Sequence, residues 1–145
     1  MKSTSKKEIR IFSFISLVFV MLFAISNQAF AQTKHKGTPW PVPEEFAKLK
    51  NPITIGATTL DEGKELYNQH CKSCHGLKGK GDGPKADKID IFCGDFSSVE
   101  FSKATEGEAY WKTTEGRKPM PSFKEKLTEN ERWTVIYYIR TLKSK

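Results

Sequence analysis

The chain has 145 residues, with 24 Lys and Arg against 17 Asp and Glu for a formal net charge of +7, and 3 Cys. Its length excludes more than one ordinary domain, and the +4 that remains without residues 1–31 is too modest to suggest a nucleic-acid binder. Residues 1–31 hold 13 of the 33 Leu, Ile, Val and Phe, so the other 114 residues keep 20, about 18% and below the roughly 20% at which a charged chain reads as disordered.

The amino terminus explains the imbalance. Lys2, Lys6, Lys7 and Arg10 form a positive start, and Ile11 to Ile25 is an uncharged run of 15 residues. Ala29-Phe30-Ala31 then supplies the small-x-small pattern that signal peptidase reads, so residues 1–31 are expected to be a signal peptide. The run falls short of the roughly 18 residues of a spanning helix; an uncleaved anchor is the rival reading. Either way the remainder is exported, and a periplasmic location is expected. Without residues 1–31 the chain keeps 20 basic and 16 acidic side chains, a net charge of +4.

Residues 32–58 contain Pro39, Pro41, Pro43 and Pro52 and read as an extended or wrapping arm, with a short helical turn at Glu44 to Leu49. Residues 59–145 form the domain. Three Thr-x-x-Glu capping boxes, Thr59/Glu62, Thr105/Glu108 and Thr128/Glu131, each offer partners to free amides at a helix start. They predict helices over about Leu60 to His70, about Glu106 to Glu115 with Gly116 as terminator, and from Thr128 to about Leu142. The fold class is therefore all-α. Between the first two helices, Gly76 to Phe101 is rich in glycine and is expected to be an irregular loop with at most a helical turn. In the last helix Trp133, Ile136, Tyr137 and Arg140 mark one face and Val135, Tyr138, Ile139 and Leu142 another, which requires burial on both.

Cys71-Lys72-Ser73-Cys74-His75 carries the chemistry. A C-x-x-C-H run reads as c-type haem attachment, because cysteines three apart share one side of a helical turn and the adjacent His comes under the iron. Export agrees with covalent attachment of this kind. With Met1 and Met21 in the signal, Met120 is the remaining thioether; it lies between Pro119 and Pro121 and is the candidate sixth ligand. A gap-filling core Met is the bland alternative.

These residues resemble class I cytochrome c over Thr59 to Leu142. The resemblance rests on the attachment motif, Gly-Asp-Gly-Pro at 81–84, Met-Pro-Ser-Phe at 120–123, and Leu127-Thr-Glu-Asn-Glu-Arg-Trp followed by Tyr-Tyr-Ile-Arg. It implies three main helices around one haem c, held through two thioethers at Cys71 and Cys74, with His75 and Met120 as axial ligands. It also implies that Gly63 and Tyr67 meet the last helix around Val135 and Tyr138, and that the Pro84 carbonyl accepts from His75. The arm and Cys93 have no counterpart in the general pattern.

Weaker signals remain. Cys93 reads as a small buried hydrophobe, or else as a thiol for an intermolecular disulfide. His70 reads as a packing residue, His35 as a remote ligand alternative, and Trp111 and Trp133 as core. Residues 71–88 and 117–126 together hold nine basic side chains (Lys72, Lys78, Lys80, Lys85, Lys88, Arg117, Lys118, Lys124 and Lys126) against three acidic ones. Such a collar would speed encounter with a redox partner protein presenting an acidic docking face.

The functional expectation is periplasmic single-electron transfer between respiratory partners by a carrier that is not an enzyme. No nucleic acid is expected, and membrane contact only through partner complexes or an uncleaved anchor. Rivals are a docked subunit of a larger oxidase or dehydrogenase, an open-site haem sensor or peroxidase, and a zinc or thiol-redox module. The thin core finds its supplement in the haem itself, an apolar body around which three helices can pack.

Overall fold

The structure, a computed structural model, describes residues 37–142. The expected signal peptide, its anchor alternative and His35 lie outside the described residues. Among the described residues six α-helices follow in order: α1 (Glu44–Ala47), α2 (Thr59–His70), α3 (Lys72–His75), α4 (Val99–Lys103), α5 (Glu106–Glu115) and α6 (Glu129–Thr141). A 3₁₀ turn, Ala86–Lys88, interrupts the glycine-rich loop, and no extended strand occurs among the described residues. The all-α expectation holds.

Two of the three capping boxes form. Thr105 and Thr128 are the N-caps of α5 and α6, each accepting from the amide of the Glu three residues on, whose carboxylate accepts in return from the Thr amide. The first does not form. The N-cap of α2 is Thr58, in αR geometry, and its hydroxyl donates to Glu62 at 2.7 Å, while Thr59 lies inside the helix and accepts from the Gly56 amide at 2.8 Å. Helix α4 was not visible in the sequence pattern; Ser98 caps it by accepting from Phe101.

Helix α6 is the centre of the core. Trp133, Val135, Ile136 and Ile139 are all buried, so two of its faces are covered as expected. Trp133 stacks on Tyr110 of α5 with ring centroids 4.0 Å apart, and the Arg132 guanidinium donates to the Tyr110 hydroxyl and to the Lys124 and Leu127 carbonyls. On the other side α2 crosses α6 at close range. A Cβ on Gly63 would stand 2.7 Å from the Thr134 carbonyl oxygen and 2.8 Å from the Tyr138 Cβ, so the crossing needs a residue without a side chain. One turn later Tyr67, fully buried, packs its ring 5.3 Å from that of Tyr138.

The arm is a wrapping segment. The Ala47 carbonyl accepts from the Thr105 hydroxyl at 2.7 Å, and the Asn51 side chain donates to the Trp133 carbonyl at 3.2 Å. Phe46 and Trp40 both pack on Trp111, with centroids 6.4 and 6.2 Å away.

Alanine at position 63 tests the crossing. It gains roughly 1 kcal/mol of helix propensity, but overpacking of this kind costs about 1–3 kcal/mol and here presses on backbone. Gly63→Ala should therefore lower the urea midpoint of the haem-loaded protein with the m-value unchanged.

Candidate functional site

The α2–α6 crossing sets where the cysteines fall. Cys71 ends α2, its amide bonded to the Tyr67 carbonyl at 2.9 Å, and α3 carries Cys74 and His75 about one turn on. Tyr67 fixes the exit from this turn by donating its hydroxyl to the Gly76 carbonyl at 2.6 Å; burial raises its pKa well above the usual phenol range and keeps it a donor. The loop beyond lies directly on the motif. The Gly81, Gly83 and Lys85 amides donate to the carbonyls of His75, Cys74 and Ser73 at 2.9, 3.2 and 2.7 Å. A Cβ at Gly83 would come within 2.6 Å of the Ser73 and Lys72 carbonyl oxygens, which is what the Gly-Asp-Gly run is for.

Facing the motif is the turn that bears Met120. Arg117 and Met120 exchange two backbone hydrogen bonds of 3.0 and 2.9 Å around a cis Lys118–Pro119 bond. The Ser122 hydroxyl donates to the Thr114 carbonyl at 2.6 Å, and the Phe123 amide to the Thr113 carbonyl at 3.2 Å, tying the turn to the end of α5.

Between them lies a cleft of about 310 Å³, lined by Cys71, Cys74, His75 and Met120 together. All four sequence-predicted site residues therefore share one cavity. Its walls are largely apolar, built from Phe96, Phe101, Phe123, Ile136 and Ile139, with Ile91 and Phe92 at 38% and 40% exposure also on its lining. Apart from the histidines, the charged side chains on that lining are Lys112, Arg117 and Lys118, with no Asp or Glu among its described residues.

The electrostatics suit uncharged ligands. Burial pushes the His75 pKa down to about 4, against a weaker upward pull from a hydrogen bond to the Cys93 backbone, so the ring is the neutral imidazole that metal ligation requires. Burial, followed by the neighbouring Cys74, pushes the Cys71 thiol up to about 12. A sulfur that carries no charge, as in a thioether, is what this position favours. The His75 ring stacks on Phe96 with centroids 4.6 Å apart, and its Nδ1 is buried with no hydrogen-bond partner. The expected bond to the Pro84 carbonyl is not among the ring's contacts, which are the stacking on Phe96 and a hydrogen bond with the Cys93 backbone.

The remaining candidates divide. His70 packs edge-on against Phe123 at 6.0 Å, as a packing residue should. Trp133 is core, while Trp111 is half-buried under the arm. Cys93 is half-buried and lines the cleft itself. The eight collar lysines are exposed, but Arg117 is half-buried and bound to the arm, which removes it from the collar. Sequence reasoning missed Trp40, which reaches the cleft from the arm; only its setting between Pro39 and Pro41 hinted at a fixed position.

Two thiols, an imidazole and a thioether on one apolar cleft, a buried imidazole nitrogen without a partner, and cationic but no anionic side chains among the described wall residues all fit a planar apolar group with carboxylate substituents, as haem c is. Comparison with known proteins agrees. The family model described as Cytochrome c matches residues 60–143. A stretch of 58 residues, 40% of this chain and 8% of the other, is 29% identical to the quinohemoprotein alcohol dehydrogenase ADH IIB of Pseudomonas putida. Among solved structures, a chain of the Kuenenia stuttgartiensis reducing HAO-like protein complex is 29% identical with a TM-score of 0.53, covering 66% of this chain and 50% of that one. The c-type cytochrome KustC0563 is 31% identical with a TM-score of 0.49, covering 57% of this chain and 98% of that one. The chain thus spans half or less of the first two proteins.

Replacing both sulfurs tests the dependence of the fold on this cleft. A Cys71→Ala/Cys74→Ala protein should carry no covalently retained haem after acid–acetone extraction. It should also lose cooperative thermal unfolding by circular dichroism, since the apolar cleft walls would face water.

Proposed function

Since the chain belongs to the cytochrome c family, whose cofactor is covalently attached haem c, we propose that it is an exported, periplasmic single-electron carrier. Cys71 and Cys74 hold the haem, and His75 and Met120 are its axial ligands. The observation that carries this reading is the shared cleft, where Met120 faces the attachment motif on a turn fixed by four hydrogen bonds. When bound, haem c supplies a one-electron centre whose potential the thioether ligand raises. The chain's own residues do the rest. Phe96 orients His75, the Ser122 and Arg117 bonds hold Met120, and the apolar walls exclude water, so oxidation states interconvert with little rearrangement.

With both axial positions filled no place is left for a substrate, which favours a carrier over an enzyme. Export rests on residues 1–31 and on the periplasmic chemistry of haem attachment; among the described residues no helix is long and apolar enough to cross a membrane. The eight exposed collar lysines would steer an anionic redox partner.

A second reading is favoured by the relatives, one named as a protein complex and one as a quinohemoprotein dehydrogenase of which the matched stretch is a small part. Here the chain is the electron-entry module of a larger assembly. Size-exclusion chromatography of a native extract, followed at the haem absorption band, separates the two: a carrier elutes near its 16.5 kDa or below, a module with its partners.

Met120→Ala tests the ligand assignment. The variant should lose the near-infrared sulfur-to-iron band, bind carbon monoxide in its ferrous state, and drop in potential by more than about 59 mV, a tenfold shift of a one-electron equilibrium. An unchanged spectrum and potential would sink the assignment.

A further inference from the structure

The cytochrome c pattern leaves the arm without a role, yet its first described residues lie against the turn that carries Met120. The Arg117 Nη1 donates to the Thr38 and Pro39 carbonyls, both at 3.1 Å, and its guanidinium lies over the Trp40 ring at 4.6 Å from the centroid. The backbone of the same residue makes both hydrogen bonds to Met120. Trp40 is itself part of the cleft lining that includes Met120. Just before it, a Cβ at Gly37 would lie 3.0 Å from the Ile91 Cγ2 and 3.7 Å from the Arg117 Nη2, so the arm touches the glycine-rich loop and the methionine turn at once. Its other end is tied down independently, through the Thr105 hydroxyl on Ala47 and the Asn51 side chain on Trp133.

We propose that the arm is a strap and that Arg117 and Trp40 are positioning residues, which hold the Met120 turn against the cleft and keep the sixth ligand in place. The inference rests on the reading of Met120 as that ligand. The physical argument is one of population. A thioether is a weak ligand for ferric iron, so the fraction of molecules in which it is detached depends on how firmly its backbone is held. Two charge-assisted hydrogen bonds and a cation–π contact act on the residue that itself pairs with Met120, and they link it to a segment anchored on α5 and α6. An exogenous ligand that must displace Met120 binds with an apparent dissociation constant inversely proportional to the detached fraction. Loosening the strap therefore tightens binding of such a ligand without touching either axial residue.

The test is titration of the ferric, haem-loaded full-length protein with imidazole, followed through loss of the sulfur-to-iron band. Arg117→Gln and Trp40→Ala should each lower the apparent dissociation constant by about tenfold, the detached fraction rising in proportion. Trp40→Phe, which keeps an aromatic face under the guanidinium, should stay close to wild type. As a control for general loosening, Leu66→Ala, on α2 outside the cleft lining, should leave imidazole affinity unchanged although it lowers the melting temperature. If the wild-type band is present and neither Arg117→Gln nor Trp40→Ala shifts the titration, the strap is wrong while the ligand assignment stands. If Leu66→Ala shifts it equally, the effect is stability alone and the strap is again wrong. If the wild-type protein shows no band, the Met120 assignment fails and the strap fails with it.

Discussion

Because a Cβ at Gly63 would strike the Thr134 carbonyl and the Tyr138 Cβ, α2 and α6 can approach only through a bare backbone, and the cleft takes its position from that contact. Tyr67 lies one turn further along α2 and bonds to Gly76, across the whole attachment motif. Cys71, Cys74 and His75 are thereby held at a fixed distance from α6, whose Ile136 and Ile139 form part of the opposing wall. A wider crossing would move the motif relative to the Met120 turn, which is tied to α5 and has no means of following.

The same geometry accounts for a core so thin. The buried aromatic and aliphatic side chains gather where α2, α5 and α6 meet, and several more line the cleft without closing it. Ile91 and Phe92 stand more than a third exposed. An apolar body tied at Cys71 and Cys74 is the element that eight of the 20 remaining Leu, Ile, Val and Phe line, all of them between Ile89 and Ile139. In that sense the composition deficit left by the first 31 residues marks a shortage of side chains and no shortage of apolar contact.

What could be read in advance was local. The boxes at Thr105 and Thr128, the C-x-x-C-H turn and the terminator Gly116 each involve residues within four positions of one another, so the pattern and the bond are the same fact. The Thr59 box failed because the chain enters α2 already in αR geometry at Thr58, and only an extended N-cap can turn its hydroxyl toward the third amide. Met120 could be singled out by elimination, yet its presence in the cavity of His75 depends on bonds to Thr113 and Thr114 that no spacing announces. Trp40 and the stacking of Phe96 on His75 belong to the same class: their partners lie 71 and 21 residues away, and neither makes a periodic pattern. The Pro84 bond failed for a related reason, since family likeness places a loop but does not orient a ring that stacks on Phe96 and bonds the Cys93 backbone.

Arginine and lysine divide the positive charge between them. Each arginine among the described residues holds its guanidinium over an aromatic ring: Arg117 over Trp40 at 4.6 Å, Arg132 over Tyr110 at 5.4 Å and Arg140 over Phe101 at 5.1 Å. Each also donates to main-chain carbonyls, respectively those of 38–39 in the arm, 124 and 127 in the loop before α6, and 101–102 in the last turn of α4. A planar fork with a weakly hydrated face can do both at once; a lysine ammonium, compact and strongly hydrated, cannot. The lysines of the two charged loops are exposed instead, although Lys126 lies over the Phe123 ring at 5.8 Å and Lys118 borders the cleft. Charge counted from sequence therefore overstates what the collar can present to a partner, because Arg117 is used to hold the protein to itself. The distinction is chemical, and it divides a net charge in two: guanidinium groups that clamp backbone carbonyls in loops and at the end of a helix, and ammonium groups that stay exposed on the surface.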